Sequence, residues 1–183
     1  IWAPNPTNQQ PWEFIVLAGE KLDKVNACIE QHFFERMQGS GFDNLPEACE
    51  KRKDEIMESI SQAAEQDGIN PAQFFERMMR FFDAPVAVLF LHYAREEDAY
   101  KQGTAAALQN FLLAAHARGL GTCWLGVVGI CQEDIKLLLE IPEDKTLLGG
   151  VAVGIPVKDS ALNTFERSRI PVDKLTTWYG YDR

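Results

Sequence analysis

The chain has 183 residues, 46% of them hydrophobic and 25% charged, and carries a formal net charge of −9. That size suits one ordinary domain with a sizeable core, and the composition is globular, not disordered. The acidic balance argues against nucleic acid or an anionic membrane surface as partner, because a phosphate-binding face needs a basic excess.

No apolar run is long enough to span a bilayer and no stretch reads as a signal peptide, so a cytoplasmic protein is expected. Cys28, Cys49, Cys123 and Cys131 show no CxxC spacing and no companion histidine pattern. They read as scattered reduced thiols, not a zinc site. His32, His92 and His116 are isolated, and no Ser/His/Asp or Cys/His set can be assembled from them. His116 lies in an apolar helical pattern and is expected to be packed in the interior or at an interface.

In chain order, Ile1 stands at the threshold of Ala3-Pro4-Asn5-Pro6-Thr7-Asn8-Gln9-Gln10-Pro11-Trp12, and a further segment is expected ahead of it. Pro4, Pro6 and Pro11 forbid a regular helix or central strand here. A stiff, extended loop is expected, displaying amides that both donate and accept hydrogen bonds. Such a loop suits the edge of a planar heterocycle; a polar turn ahead of a strand is the plainer alternative. Phe14 to Ala18 reads as a strand ended by Gly19.

Lys21 to Met37 has helical periodicity with Leu22, Val25, Ile29, Phe33 and Phe34 on one side, and Gly39-Ser40-Gly41 breaks it. Leu45 to Gln66 reads as a long charged helix with a sparse apolar stripe of Leu45, Ala48, Ile56, Ile60 and Ala63. Asn70-Pro71 opens another helix, expected to run through Phe74, Phe75, Met78, Phe81 and Phe82. Pro85 to Tyr93 is a nearly continuous apolar run, hence a strand covered on both faces. Gln102 to Arg118 is apolar around its whole circumference, which implies a central position or a helix shared with a partner subunit.

Gly119 and Gly121 end that helix, and the strand Thr122–Leu125 leads to Gly126. A helix over 132–140 precedes the last core strand, 147–154. Beyond Pro156 the chain is polar and irregular, a tail without its own core that is expected to pack on another subunit. With no repeats or linkers, one α+β domain over 1–183 is expected, with a helical excursion over about 44–82.

Three motifs carry a resemblance. Pro4-x-x-x-Asn8-x-Gln10-Pro11-Trp12 ahead of a strand resembles the flavin-binding loop of the FMN-dependent nitroreductase family, with Asn5 where that family usually has Ser. Leu108-Gln109-Asn110 through Gly119-Leu120-Gly121-Thr122-Cys123-Trp124-Leu125-Gly126 is similar to its helix and following strand. Glu166-Arg167-Ser168-Arg169-Ile170-Pro171 is similar to its C-terminal Lys/Arg-Ser-Arg-x-Pro. In an extended segment Arg167 and Arg169 point the same way and are expected to close on one phosphate; a surface ion pair with Glu166 is the alternative.

The resemblance implies a central, mainly antiparallel sheet flanked by helices in an intertwined homodimer, with FMN between the subunits. The cofactor set it implies is Pro4, Asn5, Asn8, Gln10, Leu125, Gly126, Val127, Arg167 and Arg169, with a backbone N–H of Leu125–Val127 donating to flavin N5. Arg80 falls roughly where relatives place a cation near flavin N1 and O2. No side-chain catalyst or metal is implied. The implied activity is hydride transfer from NAD(P)H, via flavin N5, to a nitroaromatic, a quinone or another flat small-molecule acceptor. A specialised member such as a reductive dehalogenase, or a flavin-binding module without turnover, is the alternative.

Overall fold

The computed structural model describes residues 2–38, 45–95 and 98–180. The chain divides into two compact units, Ile1–Leu45 with Ala72–Val157, and Pro46–Pro71 with Lys158–Arg183. The expected break at Gly39-Ser40-Gly41 lies outside the described residues.

The first unit is built on a four-stranded antiparallel sheet in the order β1-β2-β4-β3, from β1 (Trp12–Ala18), β2 (Val86–Tyr93), β3 (Gly121–Leu125) and β4 (Lys145–Gly154). Alternation along β2 makes its two layers, since successive side chains leave a strand on opposite faces. Ala87, Leu89 and Leu91 enter one apolar cluster with Leu22, Val25 and Ile29 of α1 (Gly19–Met37), Val127 and Val128 of α5 (Val127–Ile130) and Ile135 of α6 (Gln132–Leu139). Val88 and Phe90 enter the other, with Val151 and with Leu108 of α4 (Asp98–His116). The expected α+β architecture, an antiparallel sheet with helices on both faces, is therefore present.

Three expectations about this unit need correcting. Phe34 does not join the buried side of α1: it is 67% exposed, while Leu22, Val25 and Ile29 are buried. The aromatic helix α3 (Pro71–Met78) stops short of Phe81, because Phe81, Phe82 and Asp83 turn left-handed at φ +52°, +55° and +57°. That turn inserts Phe81 fully into the core. And α4 does not take the fully enclosed central position, one of the two settings expected for it: Gly103, Thr104, Ala107, Leu108 and Ala115 are buried, but Gln109, Asn110, Leu113, Ala114 and His116 are exposed. In this single chain His116 is therefore a surface residue.

In the second unit, α2 (Glu47–Gln66) buries only Ala63 and Ala64, and the rest of its apolar stripe is half-buried or exposed. Asp67, just past α2, caps the short α7 (Ala161–Thr164), accepting from Ser160 Oγ at 2.5 Å, Ala161 N at 2.8 Å and Leu162 N at 3.2 Å. These bonds hold its carboxyl below the ordinary aspartate range, the Ser160 hydroxyl contributing most. The short α8 (Val172–Leu175) follows, and Trp178 and Tyr179 beyond it are 52% and 85% exposed. Among the described residues no helix is long and apolar enough to cross a membrane.

Candidate functional site

The amide loop is more tightly coiled than the three prolines suggested. Asn5 is extended, but Pro6–Asn8 forms a 3₁₀ turn, with Thr7, Asn8 and Gln10 at φ +45°, +57° and +46°. Asparagine tolerates that region, but β-branched Thr7 does not adopt it without restraint. The restraint comes from within the loop. Asn5 Oδ1 accepts from the Gln10 backbone N–H at 2.8 Å, Asn5 Nδ2 donates to the Ala3 carbonyl at 3.2 Å, and Gln9 Nε2 donates to Thr7 Oγ1 at 2.8 Å.

The loop ends are seated on α4, where Ala3, Trp12 and Ala107 form a small buried cluster. Gly103 of α4 faces the loop directly: a Cβ there would lie 3.4 Å from Asn5 Cβ and from Pro11 Cγ. Asn5 is thus engaged in shaping the loop. Pro4 is exposed, and so are Asn8 and Gln10, whose side chains make no hydrogen bond among the described residues. Their donors and acceptors face outward.

Leu125 and Val127 are 4% and 3% exposed and belong to the core, so only their backbone can address a ligand. Gly126 between them is exposed at φ −75°, ψ −17°, where a Cβ would meet nothing within 4 Å. Nothing among the described residues requires glycine there; close approach of something outside the chain would. The register sets where these pieces lie. β1 starts where β2 ends and β4 begins, and β3, antiparallel to β4, runs toward that same end. β3 stops with Leu125 level with Gly150, Leu89 and Ile15, three residues short of the level of Trp12. The amide loop and Leu125–Val127 therefore sit at opposite edges of the sheet, three interstrand gaps or about 14 Å apart across it, and are offset along the strands as well.

Arg167 and Arg169 do not meet on a common partner. Arg167 donates to the Leu162 and Phe165 carbonyls at 3.1 and 3.2 Å, with its guanidinium 4.1 Å from the centre of the Phe165 ring. Arg169 donates to the Ser168 carbonyl at 2.8 Å. Neither pairs with Glu166. A cleft of about 220 Å³ beside this segment is lined by Glu55, Ile56, Ser59, Glu166 and Ser168, and its two carboxylates make it a poor seat for a phosphate. Arg80 is held by Glu30 at 3.5 Å and Asp83 at 3.3 Å, so its charge is already balanced.

Sequence reasoning passed over the supports of the loop end. Lys145 is buried, its ammonium 3.5 Å from the centre of the Tyr93 ring and donating to Glu13 Oε1. Burial pulls its pKa down, but Glu13 and Tyr93 outweigh that and leave it raised. Tyr93 stacks edge-on to Tyr100, whose hydroxyl donates to Gln9 Oε1. Glu13 and Lys145 lie 132 positions apart and Gln9 and Tyr100 91, so no local pattern could have announced either pair.

Comparison with known proteins agrees with this fold. In fold the chain is similar to the FMN and NADPH-dependent nitroreductase NfnB from Sphigopyxis sp. strain HMH, a point mutant of which matches at TM-score 0.86 with 20% identity, over 98% of this chain and 84% of that one. NfnB from Mycobacterium smegmatis, solved in complex with NADPH, matches at TM-score 0.81 and 19% identity, over 97% and 83%. In sequence the chain is 28% identical to a chloronitrobenzene nitroreductase from Comamonas testosteroni, over 97% of this chain and 82% of the relative. The model of the nitroreductase family matches residues 1–155. The chain belongs to the nitroreductase family, which places it among the oxidoreductases.

Proposed function

We propose that this protein is an FMN-dependent oxidoreductase that takes hydride from NAD(P)H and delivers it to nitroaromatics, quinones or similar flat acceptors. The observation that carries the reading is the pair of exposed amides, Asn8 and Gln10, without side-chain partners among the described residues. They project from a loop held in strained left-handed geometry, the kind of outlier that persists where a ligand must be met. Relatives described as FMN-dependent, NADPH-bound and acting on nitroarenes support the cofactors and the substrate class.

The residues fit such a cofactor in three ways. Asn8 and Gln10 can read a heterocycle edge, with Pro4 and Asn5 shaping the loop beneath them. Gly126 leaves room for a flat ring beside the Leu125–Val127 backbone, whose N–H groups can hold its reactive edge. Arg167 and Arg169 can exchange local carbonyls for a phosphate, where charge-assisted bonds are stronger. When bound, FMN supplies a ring that accepts hydride at N5 and passes it on; the protein binds, orients and screens it from water.

A homodimer follows from the same reading, the loop of one subunit serving the cofactor held by the other. The placement of loop and strand end at opposite edges of the sheet, about 14 Å apart across it and offset along it, supports it. So do the exposed Phe14 and Val16 of edge strand β1 and Leu113 of α4, at 43%, 68% and 59% exposure. Residues 1–183 form one family domain on this reading, with 44–82 as a helical excursion, working in the cytoplasm.

The test is a visible spectrum of the purified protein, with FMN added where needed, followed by anaerobic NADH and NADPH. Bleaching near the flavin maximum and recovery on adding nitrobenzene is the expected result. A protein that refuses FMN refutes the proposal, and bound FMN that neither nucleotide bleaches refutes the reductase.

A further inference from the structure

We infer that Tyr100 and Gln9 form a brace that sets the amide loop in its ligand-ready shape, with Tyr100 as a positioning residue for FMN. The inference rests on the proposed flavin site but names residues outside its motif, since Gln9 stands at a position the family pattern leaves open.

The Tyr100 hydroxyl, on the first turn of α4, donates to Gln9 Oε1, and Gln9 Nε2 donates in turn to Thr7 Oγ1 at 2.8 Å. Thr7 and Gln10 are the two loop residues least tolerant of positive φ, and Asn8, which must face the ligand, lies between Thr7 and Gln9. A two-bond relay from a helix to the strained residue is what keeps that turn from relaxing. The far end of the brace is rigid as well. The Tyr100 ring lies edge-on to Tyr93 at 6.3 Å, and Tyr93 is covered by the buried Lys145 ammonium that Glu13 of β1 holds. Helix, loop and three strands are thereby tied at one point.

Tyr100→Phe keeps the ring and its packing and removes only the donor. A hydrogen bond of ordinary net strength predicts a rise of about three- to tenfold in the FMN dissociation constant, read by flavin fluorescence. The melting temperature of the cofactor-free protein falls by no more than about 2–4 °C, as expected for one ordinary hydrogen bond. Amide exchange over residues 5–10 of the cofactor-free protein speeds up by a similar factor, and Gln9→Leu reproduces both effects.

Unchanged exchange in Tyr100→Phe overturns the brace, whatever FMN does. Faster exchange with FMN affinity unchanged overturns the positioning role. Wild-type protein that binds no FMN sinks the flavin reading on which the inference stands, a result told apart by the wild-type titration alone.

Discussion

Gly150 is the most demanding position in the sheet, and Gly150→Ala measures how tightly the core beneath the candidate strand end is built. An added Cβ would sit 2.6 Å from Val128 Cγ2 and 2.8 Å from Phe81 Cε1, distances real Cβ contacts do not reach. Both neighbours are fully buried, so neither can swing aside into solvent. Overpacking of this kind costs about 1–3 kcal/mol, and two rigid contacts argue for the upper end. Replacing glycine within a strand returns about 0.5–1 kcal/mol, leaving a net loss of about 2 kcal/mol. At roughly 2–4 °C per kcal/mol for a chain of this size, the melting temperature should fall by about 4–8 °C, seen by circular dichroism and confirmed by the urea midpoint. Adding Val128→Ala removes one of the two clashes, so the double mutant should lose less than the sum of the singles. The displaced Val128 begins one residue past Val127, so FMN affinity should weaken in parallel. A melting temperature within about 1 °C of wild type would refute the reasoning.

Asn8→Ala and Gln10→Ala should each weaken FMN binding by about tenfold with little change in melting temperature, since neither side chain has a partner among the described residues. Arg167→Ala combined with Arg169→Ala should weaken FMN by about ten- to a hundredfold while leaving riboflavin binding nearly unchanged, because only the phosphate is lost. Asp134 receives Arg36 Nε and Nη2 at 2.9 Å each, and those bonds hold its carboxyl below the ordinary aspartate range. A depressed folded value means the contribution is complete above the unfolded value of about 3.9 and is lost as pH falls through the folded one. Asp134→Asn should therefore melt lower at neutral pH and show a flatter loss of stability on acidification than wild type.

Much of the scaffold was legible because it rests on short-range patterns. The run Val86–Tyr93 is apolar on both faces and is a central strand with both faces covered; the 3.6-residue spacing of Leu22, Val25 and Ile29 is the buried stripe of α1. What escaped depended on partners distant in sequence. Composition made α4 look enclosed, yet it is covered only where it meets the sheet and the amide loop, Leu108 against Val88, Phe90 and Val151 and Ala107 against Ala3 and Trp12, and Leu113 is not. The aromatic spacing through Phe82 suggested a continuing helix, but a pocket under Gly150 draws Phe81 inward and turns the chain left-handed. At the site, the motif residues were visible by type, while their division of labour was not. Asn5 shapes the loop, Asn8 and Gln10 face out, and Arg167 folds back on α7. Each of those outcomes hangs on a bond geometry that residue identity alone does not specify.

The left-handed turn at Phe81-Phe82-Asp83 has a consequence for how this molecule opens. Three successive residues in that region carry about 1–2 kcal/mol of strain apiece, tolerated only while the Phe81 ring stays in its socket. Once the ring slips out, the backbone relaxes toward ordinary geometry, and the strain released offsets part of the burial that is lost. The link between α3 and β2 therefore works as a snap fastener, closed or released with little in between. Solvent exchange at these amides should keep step with the whole sheet, not with the loops on either side.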